Sequence, residues 1–370
     1  MPVMAGCDVQ VLGAGIVGRC LALALARLGL QVALRPEPPR ADAGDDVRAY
    51  ALNAASVALL RGLKIWDALP PHAATPVHDM QVQGDAGGSA ISFSAWEQRV
   101  GELAWIVDAA VLERELASAV RFAPNVAAAE MPAALTALCE GKASASRDAR
   151  GVVFERREYG QRAIAARLST SIDHLNVARQ WFRAPDVLAL LPFDTPAPQH
   201  SYALVWSLPE ARAGELLALD AAAFETELNA ATGGAAGDLR LASARAAWPL
   251  MLAHADAWSG PGWVLLGDAA HVVHPLAGQG LNLGLADVAA LVKVIRERET
   301  WRGLGDEKLL RRYVRERQAP TWAMSQMTDG LFQVFSHQTP ALRELRNHGL
   351  NLVNRISPLK RWLTARALDS

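Results

Sequence analysis

The feature that most restricts this chain is a trio of glycines caught between two apolar segments. The run Val9-Gln10-Val11-Leu12 ends in Gly13-Ala14-Gly15-Ile16-Val17-Gly18, and Leu21 to Leu28 follows at once. A short apolar run bounded by glycine reads as a buried strand, and the alanine and leucine stretch reads as a helix that Gly29 can close in the left-handed conformation. Leu30 to Leu34 reads as a second buried strand. A connection of this length between the two strands implies a βαβ unit in a parallel sheet. In that setting Gly-x-Gly-x-x-Gly is a dinucleotide fingerprint: a tight turn, a backbone that approaches a pyrophosphate, and a helix packed close to its strand. The free N–H groups and positive end of the helix face the phosphates. The pattern alone does not separate NAD from FAD. A ribose-binding carboxylate is expected at the end of the second strand, and the count lands on Pro36, with Arg35 before it and Glu37 after it. Glu37 serves if the strand end shifts by one residue; an ordinary loop acid is its other reading.

Composition narrows the class. A chain of 370 residues suggests two intimately joined domains. With 37 basic and 38 acidic side chains the net charge is −1, too weak a field for nucleic acid to be the default partner. Hydrophobic residues at 51% against 20% charged exclude a disordered chain, and no uncharged apolar run reaches the roughly 18 residues of a bilayer-spanning helix. Cys7, Cys20 and Cys139 are scattered without metal spacing, which fits a reducing cytoplasm. His271 and His274 stand three apart with no further ligands at hand, so no metal is assigned.

The fold expected is α/β. A Rossmann-like nucleotide-binding domain occupies 1–75, 108–150 and 250–300. An antiparallel-sheet substrate domain is inserted as 76–107 and 151–249, and a helical C-terminal region covers 301–370. Val77 to Val82 and Ala90 to Phe93 alternate about Gly87-Gly88 as a hairpin would, while Gln161 to Leu168 and Tyr202 to Ser207 read as strands. Trp181, Trp206 and Trp248 fall in this second sheet, mostly as core, with one left to face an aromatic substrate. Gln279 to Arg296 is the strongest helix, with Leu281, Leu285, Val288, Val292 and Ile295 on one face. The tail Asn354 to Leu368 interleaves Arg355, Lys360, Arg361 and Arg366 with Ile356, Leu359, Trp362 and Leu363. It reads as an amphipathic helix facing solvent, with a membrane surface as the alternative.

The most informative stretch is Leu266-Gly267-Asp268-Ala-Ala-His271-Val-Val-His274-Pro275-Leu-Ala-Gly278-Gln279-Gly280-Leu281-Asn282-Leu-Gly284. An apolar strand delivers Asp268 to its carboxyl end, where open α/β sheets bind ligands. Gly278 and Gly280 free the backbone just before the long helix, whose unpaired N–H groups can meet an anionic group. Gln279 and Asn282 either line that ligand or cap the helix.

Gly13-x-Gly15-x-x-Gly18, Arg48-Ala49 and Gly267-Asp268 together resemble the FAD-dependent aromatic hydroxylases. The string from Gly267 to Leu291 resembles the branch acting on ubiquinone precursors, the UbiH/COQ6-like monooxygenases. Asp46-x-Arg48-Ala-x-Ala-Leu52, Tyr159-Gly-Gln161, Leu190-Leu-Pro192, Val205-Trp206-Ser207 and Arg346-Asn347-x-Gly349-Leu350 extend the likeness over essentially the whole chain. The resemblance implies an aromatic hydroxylase-like fold holding FAD: pyrophosphate on Gly13, Gly15 and Gly18, Arg48 near the flavin or its phosphates, and ribityl chain at Gly267-Asp268. The isoalloxazine then lies against Pro275 to Asn282, with Gly278, Gln279, Gly280, Leu281 and Asn282 as contacts and His274 and Pro275 as the catalytic candidates. It further implies NAD(P)H as co-substrate and O2 forming a flavin C4a-hydroperoxide that hydroxylates a phenolic, polyprenylated ring. A prenylated substrate makes contact with the inner membrane surface, or with a quinone-biosynthesis complex, useful. The family's Asp-Gly motif, which contacts FAD and NAD(P)H, stands here as Glu140-Gly141-x-x-Ser144-x-x-Arg147. Glu140 for aspartate and Pro36 at the ribose position motivate the competing reading, a flavin-poor relative that serves as a binding or assembly partner in quinone biosynthesis.

Overall fold

In the structure, a computed structural model, residues 6–36, 46–84, 90–273 and 279–336 are described. The glycine trio sits where the sequence places it. Strand Cys7–Leu12 runs into the turn, and helix Ile16–Arg27 returns the chain to strand Val32–Leu34, parallel to the first with Val9 opposite Val32. Ala133–Leu138 joins on the other side, Leu135 opposite Val9, and Trp263–Leu265 pairs beyond it. The six-stranded sheet runs Ser259–Gly260, Trp263–Leu265, Ala133–Leu138, Cys7–Leu12, Val32–Leu34, Val126–Ala128, parallel apart from the Ser259–Gly260 edge. All these parallel strands end on one side, which gives the sheet a single carboxyl edge for ligands.

Two helices on one face owe their closeness to missing side chains. A Cβ on Gly18 would lie 1.9 Å from the Gly13 carbonyl oxygen, and one on Gly13 would lie 2.3 Å from that of Cys139. Helix Gln279–Arg296 crosses helix Ile16–Arg27 at Gly284, where a Cβ would meet Val17 at 2.8 Å and the Gly267 Cα at 3.4 Å. Leu285, Val288 and Ile295 are buried as the helical spacing requires, and Leu281 and Val292 pack partly buried against the same core.

The second sheet is built on one long strand, Phe154–Thr170, flanked by Ala246–Ala255 and Ser201–Pro209, each antiparallel to it. The order continues through Asp186–Phe193 and Val177–Arg183 to Asp79–Gln83 and Ala90–Ser94, an antiparallel pair; the Gly87-Gly88 turn lies outside the described residues. One face is closed by helices Glu210–Ala218 and Ala221–Thr232, under which Trp181, Trp206, Leu204 and Phe224 are buried. A three-stranded sheet, Ala49–Leu52, Ala104–Asp108 and Ala74–Val77, packs Ile106 and Val77 against Phe193 and Ala203 on the opposite face. Residues Ala49–Leu52 form a strand of this sheet.

Helix Glu307–Ser336 ties the two sheets together. Tyr313 Oη donates to the Leu265 carbonyl at 2.9 Å, and further along Tyr159 Oη and the Arg157 guanidinium both donate to Asp329. No helix among the described residues is long and apolar enough to cross a membrane.

Gly15 contrasts with its neighbours: its φ of −73° suits any residue, and an added Cβ would meet nothing within 4 Å. Gly18→Ala should cost about 3 kcal/mol by forcing backbone apart, whereas Gly15→Ala should stay within about 1 kcal/mol of the native chain. Denaturant unfolding of the ligand-free proteins measures both, and equal losses would contradict this packing.

Candidate cofactor cleft

Along the carboxyl edge the strand ends present, side by side, Gly267, Glu140, Gly13 and Arg35. Arg35 donates its N–H to the Val11 carbonyl and Cys139 donates to that of Leu12, so both flanking ends are locked to the glycine turn. Gly15 then has no internal reason to be glycine, since neither its φ nor its packing requires it. The same holds for Gly280 in the first turn of helix Gln279–Arg296, where a Cβ would also meet nothing within 4 Å. Glycine early in a helix costs stability relative to alanine. A ligand pressed against the backbone supplies the missing reason at both places, and helix N-termini there suit phosphate and other anionic groups.

Asp268 lies between these two points on the turn Gly267–Ala269. Gly267 adopts φ +59°, a left-handed turn that glycine favours. The Asp268 side chain is open to solvent, yet protein crowds around it: a carboxylate in a recess. Burial in that recess pushes its carboxyl up, opposed by His271, Lys142 and Arg48. Among the described residues none donates a hydrogen bond to it. An unsatisfied acceptor in a crevice suits a polyhydroxyl chain, whose O–H groups would supply the donors.

The turn is held from behind by Asp287, which has no exposed surface. Its Oδ2 accepts from the Gly267 N–H at 2.9 Å and from His271 Nε2 at 2.7 Å, and its Oδ1 accepts from Arg317 Nε at 2.8 Å. Arg317 also donates to the Leu283 carbonyl, and His271 lies against the Trp258 ring at 5.0 Å. Burial alone would raise the Asp287 carboxyl; His271 and Arg317 outweigh it and hold it below its usual range. The sequence reading did not single out Asp287 or Arg317. The available signal was that Asp287 is the lone acid of its helix and falls between the apolar positions Leu285 and Val288.

The Glu140 motif closes the other flank. Its carboxylate accepts from Ser144 Oγ at 2.6 Å, from the Ser146 N–H at 3.2 Å and Oγ at 3.0 Å, and from Arg35. Arg147, fully buried, stacks on Phe154 and donates to the Ala269 carbonyl at 3.2 Å, which ties this loop to the Asp268 turn.

Other expected contacts divide into struts and residues facing the cleft. Asn282 spends its side chain on protein: Nδ2 donates to the Ala51 carbonyl at 2.8 Å, and Oδ1 accepts from the Asn53 N–H and Ser56 Oγ. It anchors the helix start to the three-stranded sheet, with Gln279 Oε1 accepting from it at 3.4 Å, rather than reaching toward a ligand. Leu281 is partly buried in the core. Arg48 is held as a fork on Asp46, Nε at 2.8 Å and Nη2 at 2.6 Å, with Glu113 at 3.3 Å. Its Nη1 has no partner among the described residues. Glu37, His274, Pro275 and Gly278 lie outside the described residues, as do Arg346 to Leu350 and the tail Asn354 to Leu368.

Beside the Asp268 turn, strand His271–Val272 pairs with Ala246–Ala255, Val272 opposite Ala253. That strand begins a shallow floor on the face of the second sheet away from its helices. Register puts Trp248 beside Ala163 and Ser207, and Ala246 beside Ala165, Val205 and Ala189.

A parallel nucleotide-binding sheet, a second sheet with a small-residue floor, and a carboxylate turn between them define a flavoprotein scaffold of the aromatic-hydroxylase class. The family model described as FAD binding domain matches residues 106–328. The chain is 31% identical over 391 residues to the 3-demethoxyubiquinol 3-hydroxylase of Escherichia coli (strain K12), covering 98% of each. It is 30% identical to the ubiquinone hydroxylase UbiL of Rhodospirillum rubrum, covering 98% of this chain and 90% of that one. Among solved structures it is similar to P. aeruginosa PqsL in complex with 2-aminobenzoylacetate (TM-score 0.74, 20% identity, 93% of this chain and 99% of that). It is also similar to the p-nitrophenol 4-monooxygenase PnpA of Pseudomonas putida DLL-E4 (TM-score 0.76, 16% identity, 98% of each). The chain belongs to the FAD binding domain family, in its ubiquinone-hydroxylase branch.

Replacing Asp287 by asparagine leaves Arg317 a buried, uncompensated charge, a loss of about 3 kcal/mol at neutral pH. Because its folded value lies below the unfolded one, the contribution of Asp287 is whole above about pH 4 and fades as pH falls through the folded value. Unfolding curves of Asp287→Asn against the native protein should therefore converge below that pH; a gap independent of pH would contradict the charge assignment.

Proposed function

We propose that the chain is an FAD-dependent monooxygenase that uses NAD(P)H and O2 to hydroxylate a phenolic ring, a polyprenylated ubiquinone precursor. The observation that carries this reading is the close packing at Gly284 and Gly267 against Val17, which sets the Asp268 turn and the start of the long helix beside the helix that opens at the glycine turn. Relatives near 30% identity over nearly the whole length, named for ubiquinone hydroxylation, supply the substrate class.

Gly13, Gly15 and Gly18 would cradle the pyrophosphate, with the first helix N-terminus facing it. Asp268 would accept from the ribityl hydroxyls. Gly280, in the first turn of its helix, would turn its backbone N–H to the carbonyl edge of the isoalloxazine, where a helix N-terminus stabilises negative charge without reorganising. When bound, FAD would supply the chemistry that activates O2 with electrons from NAD(P)H. The chain would contribute orientation and a dry setting for the ring, with Trp248 on the sheet face of Ala163, Ala165, Val205 and Ala246 as its candidate neighbour. His274 and Pro275, outside the described residues, are the catalytic candidates that the resemblance implies. A prenylated substrate would reach the enzyme from a membrane surface, with peripheral contact there and no nucleic acid partner.

Asp268→Ala should release flavin: the visible spectrum of the purified, reconstituted variant should lack flavin bands that the native protein retains. In the native protein FAD retention should weaken as pH falls, because the hydroxyls pair best with the ionised carboxylate and this carboxyl titrates above its usual range. The reading as a whole is tested by substrate-stimulated NAD(P)H oxidation with a hydroxylated product. No flavin bands after reconstitution with excess FAD would favour a non-catalytic partner instead.

A further inference from the structure

The ion pair between Arg35 and Glu140 closes over the carboxyl end of the first strand with its charges the reverse of what an adenosine ribose ordinarily meets. Strand Val32–Leu34 ends one residue before Arg35, and Pro36, where the count places an acceptor carboxylate for the ribose hydroxyls, supplies none, so the charged side chain at this strand end is an arginine's. Glu140 arrives from the far side, at the end of Ala133–Leu138, and passes directly over Gly13, whose absent Cβ would otherwise stand 2.8 Å from the Glu140 nitrogen. An aspartate at 140 is one methylene shorter; the glutamate carboxylate makes the crossing to Arg35.

The hydrogen-bond inventory decides which partner is left for a ligand. A carboxylate has about four acceptor sites, and Glu140 fills them with Ser144 Oγ, the Ser146 N–H, Ser146 Oγ and Arg35. Its side chain is 10% exposed, against 33% for Arg35. Arg35 has five N–H donors, and among the described residues its side chain bonds Glu140 alone, through Nη2. Glu140 is therefore the fixed post and Arg35 the group with donors to spare.

We propose that Arg35, held in place by Glu140, recognises the adenosine end of FAD as a hydrogen-bond donor, in place of the acceptor carboxylate at the end of the second strand. The ribose oxygens and adenine ring nitrogens accept from its remaining N–H groups, and its planar guanidinium can stack on the base. Glu140 is a positioning residue. The inference rests on the pyrophosphate lying on the Gly13 to Gly18 turn, which puts the adenosine on this side of it.

FMN lacks the adenosine and serves as the internal control. Dissociation constants for FAD and FMN are to be measured by quenching of flavin fluorescence, with melting of the flavin-free proteins as a check on folding. Arg35→Ala should weaken FAD by about tenfold or more, the size of a charge-assisted hydrogen bond, and leave FMN unchanged. Glu140→Gln should weaken FAD in the same selective way, and adding it to Arg35→Ala should cost little more, because the two act as one unit. Equal weakening of FAD and FMN, or an unchanged FAD constant in Arg35→Ala beside a collapse in Glu37→Gln, would overturn the proposal. Gly15→Val separates the two layers. If it leaves FAD binding intact, the placement of the pyrophosphate fails; if it abolishes FAD binding while Arg35→Ala keeps the native FAD preference, the arginine assignment alone fails.

Discussion

A single carboxylate sealed from solvent organises the region around the cleft. Asp287 takes donors from the turn that carries Asp268, from the edge strand of the second sheet through His271, and from the last helix through Arg317. A charge so deeply buried is tolerated only when its partners are in place, so the Asp268 turn, the second sheet and the last helix must meet in one arrangement. Gly284 and Gly267 let the helix bearing Asp287 press against the first helix, so the cluster sits directly behind the recess where Asp268 is exposed. Buried and satisfied behind, recessed and unsatisfied in front: that contrast distinguishes scaffold from binding surface.

The same contrast runs through the motif at Glu140. Its serines, Arg147 and Arg35 form a closed hydrogen-bonded unit that braces the first crossover against the Asp268 turn, and the remaining donors belong to Arg35. A change that looks like damage when one residue is compared with a pattern becomes an exchange when both partners are seen. Positive charge sits at one strand end and the neutralising acid comes from the strand beyond the next.

Much of this was legible in the sequence because the decisive residues are local. Gly13 to Gly18 needs only its two flanks to declare a strand, a turn and a helix, and Leu281 to Ile295 repeats at a spacing that fixes which face is buried. Asp268 was readable as a strand-end carboxylate. Long-range pairing was not: nothing near Glu140 announces Arg35, and nothing near Asn282 announces Ala51 and Ser56, so residues that brace the cleft looked like residues that line it. Strand Ala49–Leu52 was hidden because its partner, Ala104–Asp108, lies far along the chain. The helices Glu210–Ala218 and Ala221–Thr232 were there to be read. Alanine, glutamate and leucine dominate them, Asp220 caps the second by accepting from the Ala223 N–H, and Gly233 ends it at φ +61°.

The central claim is that one extended cofactor spans from the Gly15 turn past Asp268 to the start of the helix at Gln279. A crystal structure grown with FAD tests it most directly. The account predicts density for the pyrophosphate against Gly15, the ribityl hydroxyls within hydrogen-bond distance of Asp268, and the ring edge at the Gly280 backbone. FAD bound at another surface, or a cleft closed by the protein's own side chains in the presence of saturating FAD, would contradict it.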